Sequence, residues 1–103
     1  MWSELTDTTG TNNSKPTRYV YVTGCDSGFG RIAVDLFDKE NFGVFAGVFL
    51  DSSITKIKQE CPSGRVVPIP LNVRSDASVL EAARLIKEHL ARENAQLYAV
   101  INK

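Results

Sequence analysis

Three glycines, Gly24, Gly28 and Gly30, stand between an apolar run, Tyr19-Val20-Tyr21-Val22, and an amphipathic stretch that opens at Arg31. The run reads as a strand buried on both faces, because both of its alternating sets of side chains are apolar or aromatic. Arg31 to Glu40 reads as a helix, with Ile32, Ala33, Leu36 and Phe37 on one face and Arg31, Asp35, Asp38 and Lys39 on the other. A strand that turns at once into a helix leaves the chain few choices. One glycine supplies a turn residue with positive φ. A second lets the backbone approach a ligand with no Cβ in the way, and a third lets the helix pack close to the strand. The N–H groups at the helix start, with the positive end of its dipole, would then face a pyrophosphate. The competing reading is a glycine-rich turn with no ligand, and only the strand before and the helix after weigh against it.

The rest of the chain repeats the alternation. Asn41-Phe42-Gly43 breaks the first helix, and Val44 to Leu50 reads as a second apolar strand. Ser52-Ser53 offers an N-cap for a short helix from Ile54 to Glu60, halted by Cys61-Pro62-Ser63-Gly64. Val66 to Val73 reads as a third strand. Pro68 and Pro70 place it at an edge, since each removes a ladder donor. Ser75 or Asp76 caps a long helix to about Glu93, with Val79, Ala82, Ala83, Ile86 and Leu90 as its apolar stripe. Leu97 to Ile101 is a fourth strand. The order β-α-β-α-β-α-β predicts an α/β fold with a four-stranded parallel sheet, strand order 3-2-1-4, and flanking helices joined by right-handed crossovers.

With 103 residues the chain has room for one domain. Residues 1–17 read as a polar lead-in without period, flexible and closed by Pro16, and residues 18–103 as the domain. Twelve Lys and Arg balance twelve Asp and Glu, which removes the electrostatic reason to expect nucleic acid as a partner. The longest apolar run, Gly43 to Leu50, is far short of the about 20 residues a membrane span needs. The N-terminus has neither the pattern of a secretory signal nor the Arg-rich, acid-poor character of a transit peptide. Cys25 and Cys61 make no disulfide framework and read as reduced thiols in a cytoplasmic compartment, with a mitochondrial or membrane-peripheral location left open.

The segment Thr23-Gly24-Cys25-Asp26-Ser27-Gly28-Phe29-Gly30 resembles T-G-x-x-x-G-x-G, the cofactor fingerprint of the short-chain dehydrogenases/reductases. The fuller run from Val22, together with Val44-Phe45-Ala46-Gly47, is similar to the retinol, hydroxysteroid and 3-hydroxybutyrate dehydrogenases of that family. Leu71-Asn72-Val73 falls where the family has an Asp or Asn beside the adenine, and Val100-Ile101-Asn102 where it has Asn-Asn-Ala-Gly. The likeness runs from residue 18 to residue 102. It implies a partial Rossmann fold that binds a nicotinamide dinucleotide. Thr23 and Gly24 would open the loop around the pyrophosphate and its ribose, with Ser27, Gly28, Phe29 and Gly30 completing it. Asn72 and Val73 would lie beside the adenine. Asn102 would steady the central sheet and touch the ribose side of the cofactor. Val48 occupies the register of the acid that accepts ribose hydroxyls in NAD-binding members, and Asp51 lies three residues on. Asp51 is equally well read as a solvated turn residue or helix cap. With no Arg or Lys near it in sequence, the expected cofactor is NAD, NADP staying open.

In the family a Ser, a Tyr and a Lys carry the chemistry, on a hydroxyl or carbonyl of a retinoid, steroid or small hydroxy acid. None of Tyr19, Tyr21 and Tyr98 has a Lys four residues on, so all three read as strand packing. The resemblance breaks at Lys103, where the family has a second Asn. These points lead to the expectation of the nucleotide-binding front half of an oxidoreductase, inactive alone, its chain a splice product or a truncated or mispredicted frame. The alternatives are a non-catalytic short isoform that pairs with the full-length enzyme, or an unstable fragment. The far side of the fourth strand would be bare, which predicts marginal stability and self-association. His89 reads as solvated, Cys25 as unreactive, and Arg84, Lys87, Glu88 and Arg92 as a mixed-charge face.

Overall fold

A computed structural model of the chain describes residues 15–102. Most of the expected lead-in, and Lys103, lie outside the described residues. The elements follow in the order β1 (Arg18–Val22), α1 (Gly28–Lys39), β2 (Gly43–Val48), α2 (Asp51–Glu60), β3 (Val66–Pro70), α3 (Asp76–Glu93) and β4 (Gln96–Ile101). The strands form one parallel sheet in the order β3-β2-β1-β4. Val20 lies opposite Val44 and Phe45 opposite Val67. The prolines sit as an edge strand allows: Pro68 pairs with Ala46 and Pro70 with Val48, on the strand that has no further neighbour among the described residues.

Side-chain alternation sorts the core into two layers. Val20, Val22, Val44, Ala46 and Val48 face α1 and α2, where they meet Ala33, Val34 and Ile57. Tyr19, Phe45, Ile69 and Leu71 face α3 and meet Ala82 and Ile86. Tyr19 stacks on Phe45 with ring centroids 4.7 Å apart. Ser75 caps α3 by accepting from the Ser78 N–H, and Asn94, in the left-handed region at φ 52°, ends it.

Several boundaries and faces differ from the sequence expectation. α1 begins at Gly28 rather than Arg31, so two of the three glycines lie in its first turn. Its buried side is Gly30, Ala33 and Val34, whereas Ile32 and Leu36 are exposed. The stripe is rotated by about one residue, or roughly 100°, because the small residues let the helix sit close to the sheet. In α3 the contact side is Ala82, Leu85, Ile86 and Leu90, while Val79 and Ala83 are exposed. β2 stops at Val48, leaving Phe49 and Leu50 exposed. β3 stops at Pro70, though the Leu71 N–H still donates to the Val48 carbonyl at 2.8 Å. The β1–β4 register shifts between Tyr19 and Val20, which leaves Tyr98 without an opposite residue. Tyr98 is 62% exposed, rather than packed as expected, and tilts against Phe42.

His89 is half-buried, not solvated. Its ring packs edge-on against Tyr19 and Phe45, with Nε2 3.1 Å from the Tyr19 hydroxyl and Nδ1 3.2 Å from the Arg92 guanidinium. Arg92 can only donate, so Nδ1 is the acceptor and Nε2–H donates to Tyr19. Burial chiefly, helped by Arg92 and Lys15 and opposed by Glu93, pushes the imidazole below its usual pKa. The unfolded chain therefore takes up this proton more readily than the folded one. Stability from His89 is complete above about pH 6.5 and declines as the pH falls below it. We expect a lower urea midpoint at about pH 5.5 than at about pH 7.5. Much of that difference should vanish in His89→Gln, as measured by urea melts of both proteins at the two pH values.

Candidate functional site

Parallel strands send their carboxyl ends to the same edge of the sheet, so the segments that follow them meet there. After β1 the chain passes through Thr23 and Gly24, the latter at φ 68°. The Thr23 N–H donates to the Ile101 carbonyl at 3.0 Å, and the Cys25 N–H to the Gly47 carbonyl at 2.9 Å, which fastens the turn to both neighbouring strands. The Thr23 hydroxyl lies 3.3 Å from Asn102 Oδ1, so the ends of β1 and β4 are joined by side chains as well.

The glycines take three distinct roles. Gly24 turns the chain. Gly28, at φ 65°, would present an added Cβ to open space, with no heavy atom within 4 Å. A Cβ on Gly30 would lie 2.2 Å from the Gly24 carbonyl oxygen, a distance no side chain tolerates. The bend is therefore closed beneath by Gly30 and open above at Gly28. Ser27 enters α1 in extended conformation without capping it, and no acid lies in the first turn. The first N–H groups of α1 are left facing outward with the positive end of the dipole, the arrangement that receives a phosphate oxygen.

Asp26 is held away from that mouth. Its carboxylate accepts from the N–H groups of Phe49 and Leu50, each at 2.9 Å, and from the Ser53 hydroxyl at 2.8 Å. Partial burial works against the charge, but these three donors outweigh it and hold the carboxyl below its usual range. The bonds also explain why α2 starts at Asp51 without a serine cap. Its N-cap, Leu50, has no capping side chain, and the carboxylate of a distant residue serves instead.

Beside the turn lies a cavity of about 490 Å³ lined by Gly24, Asp26, Gly47, Phe49, Leu71, Asn72, Val73 and Arg74. It lies over the carboxyl ends of β1, β2 and β3. Of the residues expected from sequence, Gly24, Asn72 and Val73 come together there. Ser27, Gly28 and Phe29 stand exposed at the start of α1 next to Gly24, and Gly30 is buried beneath them. Thr23 and Asn102 meet at the β1–β4 side. Asp51 is exposed in the first turn of α2 and does not line the cavity.

The sequence reading passed over Asp26, Gly47, Phe49, Leu71 and Arg74. Asp26 lies inside the quoted motif and Arg74 directly follows Asn72-Val73, so both were within reach. The β3–α3 connection is knit around Asn72, whose N–H donates to the Ser78 hydroxyl and whose Oδ1 accepts from the Arg74 N–H.

Burial raises the phenols of Tyr19, with Glu93 adding, and of Tyr21, with Cys25 adding. Cys25 is fully buried, donates to the Val22 carbonyl, and is pushed up to about 12, chiefly by burial. The open bend, the uncapped helix start and the adjoining cavity lie side by side at this edge.

The sheet order and flanking helices define a Rossmann-like α/β fold. No family model matches the chain. The 3beta-hydroxysteroid dehydrogenase dhs-16 of Caenorhabditis elegans is 36% identical over 91 residues, covering 82% of this chain and 23% of the relative. Dehydrogenase/reductase SDR family member 9 of Bos taurus is 35% identical over 85 residues, covering 82% of this chain and 26% of the relative. The chain thus spans about a quarter of the length of the curated relatives it matches. A short chain dehydrogenase from Bacillus anthracis superposes with a TM-score of 0.73 at 22% identity, over 87% of this chain and 35% of that one. In sequence the chain is similar to part of the short-chain dehydrogenases/reductases, and it shares their fold.

Removing the Asp26 carboxylate should loosen the link between the two turns. Asp26→Ala is expected to lose about 1–2 kcal/mol at neutral pH, read from urea denaturation. Because the folded-state pKa is depressed, the stabilisation is present above about pH 4 and disappears as the pH falls through the folded value. The two proteins should converge on acidification, and a difference that persists at about pH 2 would contradict the assignment.

Proposed function

We propose that the chain is the cofactor-holding portion of an NAD(P)-dependent oxidoreductase that acts on a hydroxyl or carbonyl of a hydrophobic alcohol. The observation that carries this reading is the open bend at Gly28 above the uncapped start of α1. The pyrophosphate would take the first-turn N–H groups of α1, held by Gly24, Ser27, Gly28 and Phe29. The adenine would enter the cavity beside Asn72 and Val73, with the apolar Phe49 and Leu71 as its walls. Thr23 and Asn102 would support the ribose on the nicotinamide side. When bound, the nicotinamide ring would supply hydride transfer. The substrate class is supported by relatives named for 3β-hydroxysteroid, retinol and 17β-hydroxysteroid dehydrogenation.

The residues present serve binding rather than turnover: Tyr19, Tyr21 and Tyr98 lie in strands, and none is followed four residues later by a lysine. By itself this chain would bind a dinucleotide and reduce nothing. Titration with NADH and NADPH, followed by cofactor fluorescence, should give a dissociation constant below about 1 mM for at least one of them. Absence of binding by either at that concentration would end the proposal. Gly28→Ala should cost about 1 kcal/mol of stability for its left-handed φ. It should weaken binding by about tenfold or more, since the methyl would stand in the path of the phosphate.

A second reading, self-association or pairing with a full-length enzyme, draws on β4. This strand closes the sheet on one side, and Leu97, Tyr98 and Val100 are exposed along it. Such an edge is a template for another strand. Sedimentation should detect species larger than a monomer at micromolar concentration, and Val100→Lys should shift the balance toward monomer. A monomer across that range would count against this second reading.

A further inference from the structure

Building on the dinucleotide reading, we propose that Arg74 selects a cofactor carrying a phosphate on the adenosine ribose, so that the site prefers NADP(H) to NAD(H). The sequence suggested the opposite, because Asp51 offered a ribose acceptor and no cation stood near it. Folding reverses both points. Asp51 is turned out on α2, away from the cavity, and Arg74 is brought into its lining from the β3–α3 connection.

Three observations give Arg74 this role. First, it is a cation without a partner. Arg31 is paired with Asp35 and Glu60, Arg65 with Asp38, and Arg84 with Glu81 and Glu88. Arg92 meets His89, and Arg18 lies over the Phe42 ring. The Arg74 side chain takes no hydrogen bond or ion pair among the described residues.

Second, the cavity's one carboxylate is spent. Asp26 accepts from two backbone N–H groups and a hydroxyl, which holds its carboxylate toward the β2–α2 turn and leaves few lone pairs for a ribose diol. The residue that follows β2 is the apolar Phe49, so no other acid takes its place.

Third, the guanidinium hangs from a fixed root. The Arg74 N–H is bonded to Asn72 Oδ1 at 3.0 Å, and the Ser75 N–H to the Asn72 carbonyl at 3.0 Å. Asp76 is the nearest acid in sequence and opens the first turn of α3, where the helix N-terminus attracts it. A planar guanidinium with free donors, in a cavity whose only acid is already satisfied, matches a phosphomonoester dianion far better than a neutral hydroxyl.

The test is direct titration of the purified chain with NADPH and with NADH, read by cofactor fluorescence. Competition with adenosine 2′,5′-bisphosphate and with 5′-AMP serves as the cofactor-half control. We expect NADPH to bind at least about tenfold more tightly at low salt, with the gap narrowing as salt rises. Arg74→Gln should abolish the preference while leaving NADH affinity within about twofold, and Arg74→Lys should keep part of it. The same order should appear between the bisphosphate and 5′-AMP. A wild-type preference for NADH overturns the inference while leaving the dinucleotide reading intact. So does an equal loss of both cofactors in Arg74→Gln, the result expected if the guanidinium only stacks on the adenine. Failure of every one of these ligands to bind removes the dinucleotide reading, and this inference falls with it.

Discussion

The contact between Gly30 and the Gly24 carbonyl sets the depth at which α1 lies on the sheet. With a Cβ 2.2 Å from that oxygen excluded, only glycine allows the helix to begin this close to the end of β1. The rest of that layer is scaled to match. Val20, Val22, Val44, Ala46 and Val48 meet Ala33 and Val34, with the rings of Phe37 and Phe42 packed in the same cluster. A helix lifted by a methyl group's width would lose these short contacts and would swing its first N–H groups off the open bend. The opposite layer has a single helix above it and is filled with bulk instead, by the stacked rings of Tyr19 and Phe45 with Ile69, Leu71 and Ile86. One close approach thus links the packing of a whole face to the aim of the backbone donors.

That aim is held by ties to three other parts of the molecule. The Thr23 N–H reaches the end of β4, the Cys25 N–H reaches β2, and the Asp26 carboxylate reaches the start of α2. Each tie uses a group that would otherwise be an unsatisfied donor or an unscreened charge at the mouth of the site. Asp26 illustrates the economy best. Its negative charge would oppose a pyrophosphate if it faced the first turn of α1. Directed to the β2–α2 turn it accepts from the N–H groups of Phe49 and Leu50 and from the Ser53 hydroxyl, which ties the two turns together.

Much of this was legible in the sequence and the reasons can be named. Strand order followed from alternation, and the edge position of β3 from Pro68 and Pro70. The turn at Gly24 and the close packing at Gly30 followed from what a strand-to-helix junction requires. Which face of α1 and α3 would be buried was less legible, because Ile32 and Leu36 suit a helix face as well as Gly30 and Val34 do. Hydrophobicity alone ranks the larger side chains first, whereas the sheet selected the smaller ones for their fit. His89 was misread for a related reason: its neighbours Tyr19 and Phe45 are remote in sequence, and a lone histidine on a charged stretch carries no mark of them. Asp26 and Arg74 show the same limit at the site. Their roles depend on which charge is satisfied, and that is set by groups from other turns.

The chain as a whole carries no net charge, yet the carboxyl edge of its sheet gathers hydrogen-bond donors suited to an anion. The start of α1 contributes its first-turn N–H groups and no acid, Arg74 contributes a guanidinium unpaired among the described residues, and the Asp26 carboxylate is engaged by donors of the β2–α2 turn. Ion pairs lie elsewhere, where the half-buried Arg31 meets Glu60 and the exposed Arg84 meets Glu81, each pair nearly neutral together. At a Debye length of roughly 8 Å in physiological salt, such distant pairs exert little influence at the cavity. An anionic ligand therefore responds to the local arrangement and not to the balance of twelve against twelve. Charge counted along a sequence excludes broad classes of partner, whereas the partner a site accepts is set by the few groups that folding leaves unspent.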